Sequence, residues 1–446
     1  MSAARRIPGD VRRVRGCAAA IAALLTVFAW HIARAGTSIL DYDSAGHLDR
    51  LHEVAPRSSG APGAADAAHS RKNEKAALPS APETWFEPGE VIVANPPRDF
   101  EVTALGEGFR VLEKVRLGAL AFEVWRLRTP SGVAVPEAVA RLHALFPGLL
   151  LDANHRYRPS EGPGSTPSVA RAAIGWSGID AACGQGIRIG MVDTPVDTSH
   201  PALAGQKVSY RSFIRPQRTP APADHGTAIA AMLVGKPDPQ GWGGLLPGAE
   251  LLAGNIFTFN DGGSEVADVI AMVKALDWMA GEQVHAVNLS MAGTDNRILR
   301  FAIGQAAAKG MVLVAAVGNW GTADRPAYPA AYTESIGVTA VDGNSTIYAY
   351  ANRGPYVAFA APGVEIWTAV PGGGRFQSGT SFAVPYLTSV IASEIAAGGT
   401  VSADRFREML AHEAVDLGEP GRDDTFGWGL VKRPPRCSRS EAAAPR

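Results

Sequence analysis

Three separated motifs supply a carboxylate, an imidazole and a hydroxyl. Asp193 closes the apolar run 186–193 (GIRIGMVD), His225 lies in Asp224-His225-Gly226-Thr227, and Ser381 lies in Gly379-Thr380-Ser381-Phe382-Ala383-Val384-Pro385. A serine hydroxyl attacks an amide poorly on its own. An imidazole can take its proton, and a buried carboxylate fixes the imidazole tautomer and stabilises the imidazolium. Asn319, in Val314-Ala315-Ala316-Val317-Gly318-Asn319, adds a side-chain amide that could join the Ser381 N–H in binding the oxyanion of a tetrahedral intermediate. Pro385 suits the first turn of a helix, where a missing N–H costs least, so a helix can open at the serine and turn its positive end toward that oxyanion. Each motif alone is commonplace as a turn or helix start. Their joint order is what points to chemistry.

The elements that must position these residues alternate along the chain from Ile174 onward. Strand-like runs fall at 186–193, 250–257, 286–291, 311–318, 335–341 and 357–360. Helices are expected at 224–234, at 264–280 with Ser264 as N-cap, at 296–309 closed by Gly310, and from Thr380 onward. The stripe Val266, Ile270, Val273 and Leu276 reads as core. Alternation of this kind predicts an α/β domain, a mostly parallel sheet with helices on both faces. Ligand sites in such sheets lie beyond the carboxyl ends of the strands, where Asp193, Ser290 and Gly318-Asn319 fall.

Before this domain, residues 85–158 carry strand patterns at 90–94, 109–115, 121–127 and 149–151. A helix at 136–145 spaces Val139, Leu142 and Leu145 on one side. This is a small α+β module of about 70 residues, close to the smallest size at which one core holds a fold. Residues 36–84 are rich in Ala, Ser, Pro, Gly and charge without an apolar period and read as a disordered linker, and 159–172 as a second, Pro/Gly-rich joint.

Composition narrows the function classes. The 446 residues are 46% hydrophobic and 19% charged, with 42 Lys plus Arg against 43 Asp plus Glu, which suits a folded chain and offers nucleic acid no basic surplus. At the N-terminus, Arg5, Arg6, Arg12, Arg13 and Arg15 precede an uncharged run at 17–30, and Ala33-Arg34-Ala35 follows. This reads as a signal peptide, residues 1–35, cleaved after Ala35, with a secreted or periplasmic product; the run is short for a bilayer span, so any membrane tie is through this segment if uncleaved. Removing it leaves Cys183 and Cys437, either joined as a disulfide or present as two free thiols.

The order Asp…His…Ser and the motifs VDT, HGT, AAVGN and GTSFAVP resemble the subtilisin-like serine protease family, over roughly residues 172–432. The resemblance implies a catalytic domain at 173–435 with a tail at 436–446, and a propeptide at 85–158 that aids folding and inhibits until removed. It assigns Asp193 as orienting acid, His225 as general base, Ser381 as nucleophile and Asn319 as oxyanion donor. By the same resemblance Ser290, Met291, Ala292 and Gly293 pair with an extended substrate, and Ala315, Ala316, Val317, Gly318 and Ala327 line the pocket before the scissile bond. The implied function is an exported, self-processing serine endopeptidase acting on polypeptides, a monomer inhibited by its own propeptide, with self-cleavage expected between 157 and 173.

Three positions depart from the family pattern. Pro195 replaces a glycine after the aspartate, Ala292 replaces a glycine at the substrate edge, and Ala202 replaces a calcium-binding aspartate, with only Asp238 acidic in the 236–243 loop. No cofactor or metal is expected; calcium stays open, with the common site missing. Pro195 and Ala292 motivate an alternative, a catalytically weak peptide-binding pseudoprotease. An acid-active Ser-Glu-Asp relative is disfavoured by His225 and Asn319. His200 and His285 read as structural, and Trp242 and Trp320 as packing residues.

Overall fold

The computed structural model describes residues 85–159, 174, 180–237, 243–260, 263–398, 402–433 and 437, all within the compact unit Trp85–Arg446. The leader, the 36–84 linker, most of the 159–172 joint, Asp238, Trp242 and the tail apart from 437 lie outside the described residues.

The N-terminal module runs β1 (Phe86–Ala94), α1 (Phe100–Gly106), β2 (Arg110–Leu117), β3 (Phe122–Arg128), α2 (Val135–Leu145) and β4 (Leu150–Pro159). Its strands are antiparallel in the order β2-β3-β1-β4. Val91, Val93, Phe100, Leu127, Leu142 and Leu151 form its core. The buried stripe of α2 is Val135, Ala138 and Leu142. Leu145 stays exposed, because the helix ends there and Phe146 turns its ring onto Phe100, with centroids 4.9 Å apart. The short strand expected at 149–151 is ten residues long and reaches Pro159.

The following region runs β5 (Arg188–Asp193), β6 (Lys207–Ser212), α3 (Asp224–Val234), β7 (Glu250–Asn255), β8 (Phe257–Phe259), β9 (Glu265–Asp268), α4 (Val269–Gly281), β10 (Ala286–Leu289), β11 (Met291–Gly293) and α5 (Arg297–Ala308). It continues with β12 (Val312–Ala316), β13 (Ser335–Val341), β14 (Val357–Pro362), β15 (Ile366–Val370), β16 (Gly373–Gln377), α6 (Thr380–Ala396) and α7 (Ala403–Ala411). The main sheet is parallel throughout, ordered β14-β13-β12-β10-β5-β7-β6. This is the expected α/β architecture.

Alternate strand residues feed the two faces. Ile189, Met191, Val314, Val338, Leu233 and Leu387 meet in one core, on the side of α3 and α6. Val192, Val287, Leu313, Ile270 and Ile303 meet in the other, on the side of α4 and α5. A disulfide joins Cys183 to Cys437.

Two element boundaries need correction. The 264–280 helix begins at Val269, with Asp268 rather than Ser264 as N-cap, its carboxylate accepting from the Ala271 N–H. Residues 265–268 are instead held as a strand by β8 and β4. The 250–257 strand is two, broken after Asn255. Through β9 and β11, both antiparallel to β4, the module's sheet continues into the second region.

Candidate active site

Asp193 ends β5 at the carboxyl edge of the sheet, 1% exposed. Its Oδ1 accepts from the Thr194 N–H at 2.7 Å and from His225 Nδ1 at 2.6 Å. Since a carboxylate only accepts, the imidazole proton sits on Nδ1 and leaves Nε2 as the basic nitrogen. The close approach depends on Gly226: a Cβ there would lie 2.3 Å from the Thr194 carbonyl oxygen and 2.5 Å from that of Pro195. The Gly226 N–H donates to Thr194 Oγ1 at 2.8 Å, pinning the start of α3 to the loop after β5.

Ser381 is in the first turn of α6, after Gly379 at φ 149°. Phe382 places its ring 5.5 Å from the His225 ring, so the imidazole and the helix that opens at Ser381 share a wall. Ser381 Oγ donates to the Ser290 carbonyl at 3.0 Å. In return Ser290 Oγ donates to the Ser381 carbonyl at 2.9 Å. That carbonyl would ordinarily receive the N–H of residue 385, which in this chain is proline. Ser290 therefore satisfies an acceptor that Pro385 leaves orphaned. Asn288 Nδ2 donates to Ser290 Oγ at 2.8 Å, and Thr388 Oγ1 to Asn288 Oδ1 at 3.3 Å, tying α6 to β10.

Asn319 follows β12. Its Oδ1 accepts from both the N–H and the hydroxyl of Thr380, at 3.1 and 2.8 Å. With the oxygen so fixed, Nδ2 is the remaining donor, buried and without a protein partner among the described residues. A buried amide donor beside the first turn of a helix is what a developing oxyanion requires.

The sites named from the motifs separate into two groups. Asp193, His225, Ser381, Asn319 and Ser290 are bound to one another or to immediate neighbours, as above. Met291, Ala292 and Gly293 form β11 and pair antiparallel with Pro159, Arg158 and Tyr157 of β4. Gly293 is needed there, because a Cβ would lie 2.3 Å from the Tyr157 ring; the Tyr157 hydroxyl donates to the Thr294 carbonyl at 2.9 Å. Ala315 and Ala316 point into the two cores. The Val317 carbonyl accepts from the Tyr356 hydroxyl at 2.9 Å, and a Cβ on Gly318 would be 3.0 Å from that of Ala327.

His200 and His285 are engaged with backbone: His200 Nδ1 accepts from the Ala202 N–H at 3.0 Å, and His285 Nδ1 from that of Arg188 at 2.9 Å. Trp320 meets Trp85 of the module edge-on at 6.0 Å, with the Arg325 guanidinium against both rings at 4.2 and 4.3 Å. Sequence reasoning missed the positioning by Asn288, Thr380 and Thr388. A polar residue inside the buried strand AVNL was the available signal for Asn288.

A parallel sheet with a buried Asp-His pair and a serine at a helix N-terminus defines a class of hydrolase-like site. A sequence model of the subtilase family matches residues 184–429, and the chain belongs to that family. Thermitase of Thermoactinomyces vulgaris is 32% identical over 259 residues, 57% of this chain and 89% of thermitase. Minor extracellular protease Epr of Bacillus subtilis (strain 168) is 30% identical over 266 residues, 58% of this chain but 40% of that protein. The crystal structure of fervidolysin from Fervidobacterium pennivorans, a keratinolytic enzyme related to subtilisin, shares the fold at TM-score 0.64 and 22% identity, covering 78% of this chain and 60% of that one. By sequence, the match spans only about two fifths of the full length of Epr (40%) and of fervidolysin (41%). Among the described residues, no helix is long and apolar enough to cross a membrane.

Proposed function

We propose that the chain is an exported serine endopeptidase, made as a proenzyme that processes itself. The observation that carries the reading is the buried Asp193–His225 hydrogen bond of 2.6 Å beside the helix that opens at Ser381. His225 Nε2 takes the Ser381 proton as Oγ attacks the peptide carbonyl; Asp193 holds the imidazolium that forms. Asn319 Nδ2 and the Ser381 N–H receive the oxyanion. His225 then gives the proton to the leaving amine, and water repeats the sequence on the acyl-enzyme. No cofactor enters this chemistry. Family membership supports the reaction class.

The N-terminal module is read as the propeptide, because β4 lies on β11 as an extended substrate would. The same pairing supports a choice of the bond that is cut. Pro159 is opposite Met291, and the next residue along β11 is Ser290, whose carbonyl accepts from Ser381 Oγ. Counting one residue on in sequence from Pro159, we place processing between Ser160 and Glu161. The freed module stays seated as an inhibitor until it is degraded. Ala292 pairs with Arg158 in ordinary register, so its methyl gives the pseudoprotease alternative no support.

Wild-type protein should label with a serine-directed phosphonate, hydrolyse casein and yield a mature chain starting at Glu161 by intact mass. Ser381→Ala should lose all three. Labelling of the variant, or a mature start outside 158–173, overturns the reading.

A further inference from the structure

Beyond the strand-pairing edge lies a second, ionic seat. Arg215, between β6 and α3, grips both oxygens of Glu90 with Nη1 and Nη2 at 2.8 and 2.7 Å. Arg218 Nη2 meets Glu87 Oε2 at 2.5 Å. Both glutamates belong to β1 of the module and are 2% and 4% exposed. These are carboxylates held as ligands, two-pronged in one case.

The receptor side has its own support. Arg215 Nη2 also bonds Asp268 Oδ2 at 2.8 Å, and Asp268 is fixed in turn as the N-cap of α4. Arg215 therefore keeps an anchor within the second region when β1 is gone, while Arg218 loses the Glu87 carboxylate. The two cations exceed the one anion between them.

Their position relative to the groove follows from register. Asp268 is paired with Arg156 in β4, and with the cut after Ser160, Arg156 is the fifth residue before it. In the proenzyme the Arg156 Nε is satisfied by Glu87 at 3.1 Å, so the seat already holds an acid opposite that position.

We propose that Arg215 and Arg218 form a carboxylate-binding subsite of the processed protein, selecting polypeptides with Glu or Asp at the fifth residue before the scissile bond. The inference rests on the protease reading for its position along the groove. This position lies four residues before the one at the scissile bond, so the subsite acts on substrate binding and not on the chemical step.

The test uses quenched fluorescent peptides that differ only at the fifth residue, as Glu, Gln or Lys, with the chain freed of its module. Glu should exceed Lys in kcat/KM by about tenfold, the size of one partly exposed charge-assisted hydrogen bond, carried in KM and shrinking with added salt. Arg218→Gln should flatten the ranking, and Arg218→Glu should invert it toward Lys. Equal rates for the three peptides, or an unchanged ranking in Arg218→Gln, overturn the subsite. If no peptide is cut, the protease reading fails instead. Fluorescence anisotropy of the same peptides on the module-free chain then still decides the subsite, Glu binding tightest if it exists.

Discussion

The two halves of the described chain are built on opposite plans. The second region buries both faces of a parallel sheet under helices, with apolar strands such as VLVAA and SIGVTAV wholly enclosed. The module is antiparallel and meets its neighbour in two ways: Ile92, Leu117, Leu120, Phe122 and Val124 share an apolar core with Ile270, Leu276 and Ile303, with Phe122 edge-on to Phe301 at 5.1 Å, and polar groups add Glu87 with Arg218, Glu90 with Arg215, Glu113 with Lys274, and Asp277 with the Ala119 and Leu120 N–H groups. Apolar burial is non-directional and scales with the area removed from water. Ion pairs and polar bonds give up most of their gross strength to rehydration, so their net worth is modest while their geometry remains selective. The second region is closed by apolar packing, while the junction adds to its apolar contacts a set of ion pairs that fix register.

The largest effect that would sharpen this contrast concerns Asn319, whose amide is held within the second region by Thr380. Asn319→Ala should lower kcat by about 10²–10³ while leaving KM nearly unchanged, the size of loss measured for the oxyanion asparagine of subtilisin itself. Retention of the clipped module on gel filtration should match wild type. A comparable loss in KM, or a module that dissociates early, would place Asn319 in the docking machinery.

The opposite half is probed by acid. Burial holds His155 below its ordinary value near 6.5, and its Nδ1 accepts from Asn296 Nδ2 at 2.8 Å across the junction. His143 is likewise lowered, by burial and by Arg297, whose Nη1 lies 3.1 Å from its Nε2. Burial alone would raise the Glu90 and Glu113 carboxyls, but it is outweighed, by Arg215, Asn154 and Arg126 for Glu90 and by Lys274 and Arg126 for Glu113, and both lie below the usual 4.5. A depressed value in the docked state means docking strength that is complete above the free value and lost as pH falls through the docked one. The histidines act first, below pH 6.5, and the glutamates below 4.5. Asp268, raised chiefly by burial, works the other way and partly offsets them. The clipped complex should bind more weakly at pH 5 than at pH 8. His155→Gln, which keeps an acceptor without a titrating ring, should remove the upper part of the slope. A pH-independent affinity would break the contrast.

How far each half could be read from residue types follows from the same difference. Asp193, His225, Ser381 and Asn319 stand out because each sits in a motif of particular side chains in a fixed order, and the parallel strands because burial on both faces demands unbroken apolar runs. β4 was visible only at its start, since DANHRYRP has no apolar period and is held by ladders to β1, β9 and β11. β6 (KVSYRS) is a largely exposed edge with the polar composition of a loop, and the β15–β16 hairpin is masked by its glycine-rich turn. The start of α4 was misplaced because Val266 fits a helical stripe and a strand equally well; only pairing with β8 decides between them. Long-range pairing is the information a local pattern lacks.

The smallest predicted effect tests a link that neither plan makes obvious. Pro385 removes the N–H that would close the first turn of α6, and Ser290 supplies a hydroxyl from the neighbouring strand in its place. Ser290→Ala should strand both the Ser381 carbonyl and the Asn288 amide, lowering stability by about 1–3 kcal/mol and kcat by only a few-fold, because the hydroxyl bonds the Ser381 backbone and not its Oγ. Ser290→Thr should restore most of both. Pro385→Ala returns the missing N–H to the helix, so the double variant should recover stability beyond Ser290→Ala alone, read as a coupling energy in a double-mutant cycle on thermal unfolding. Strict additivity would mean that the serine and the proline do not compete for the same carbonyl, and that the orphaned acceptor has another partner.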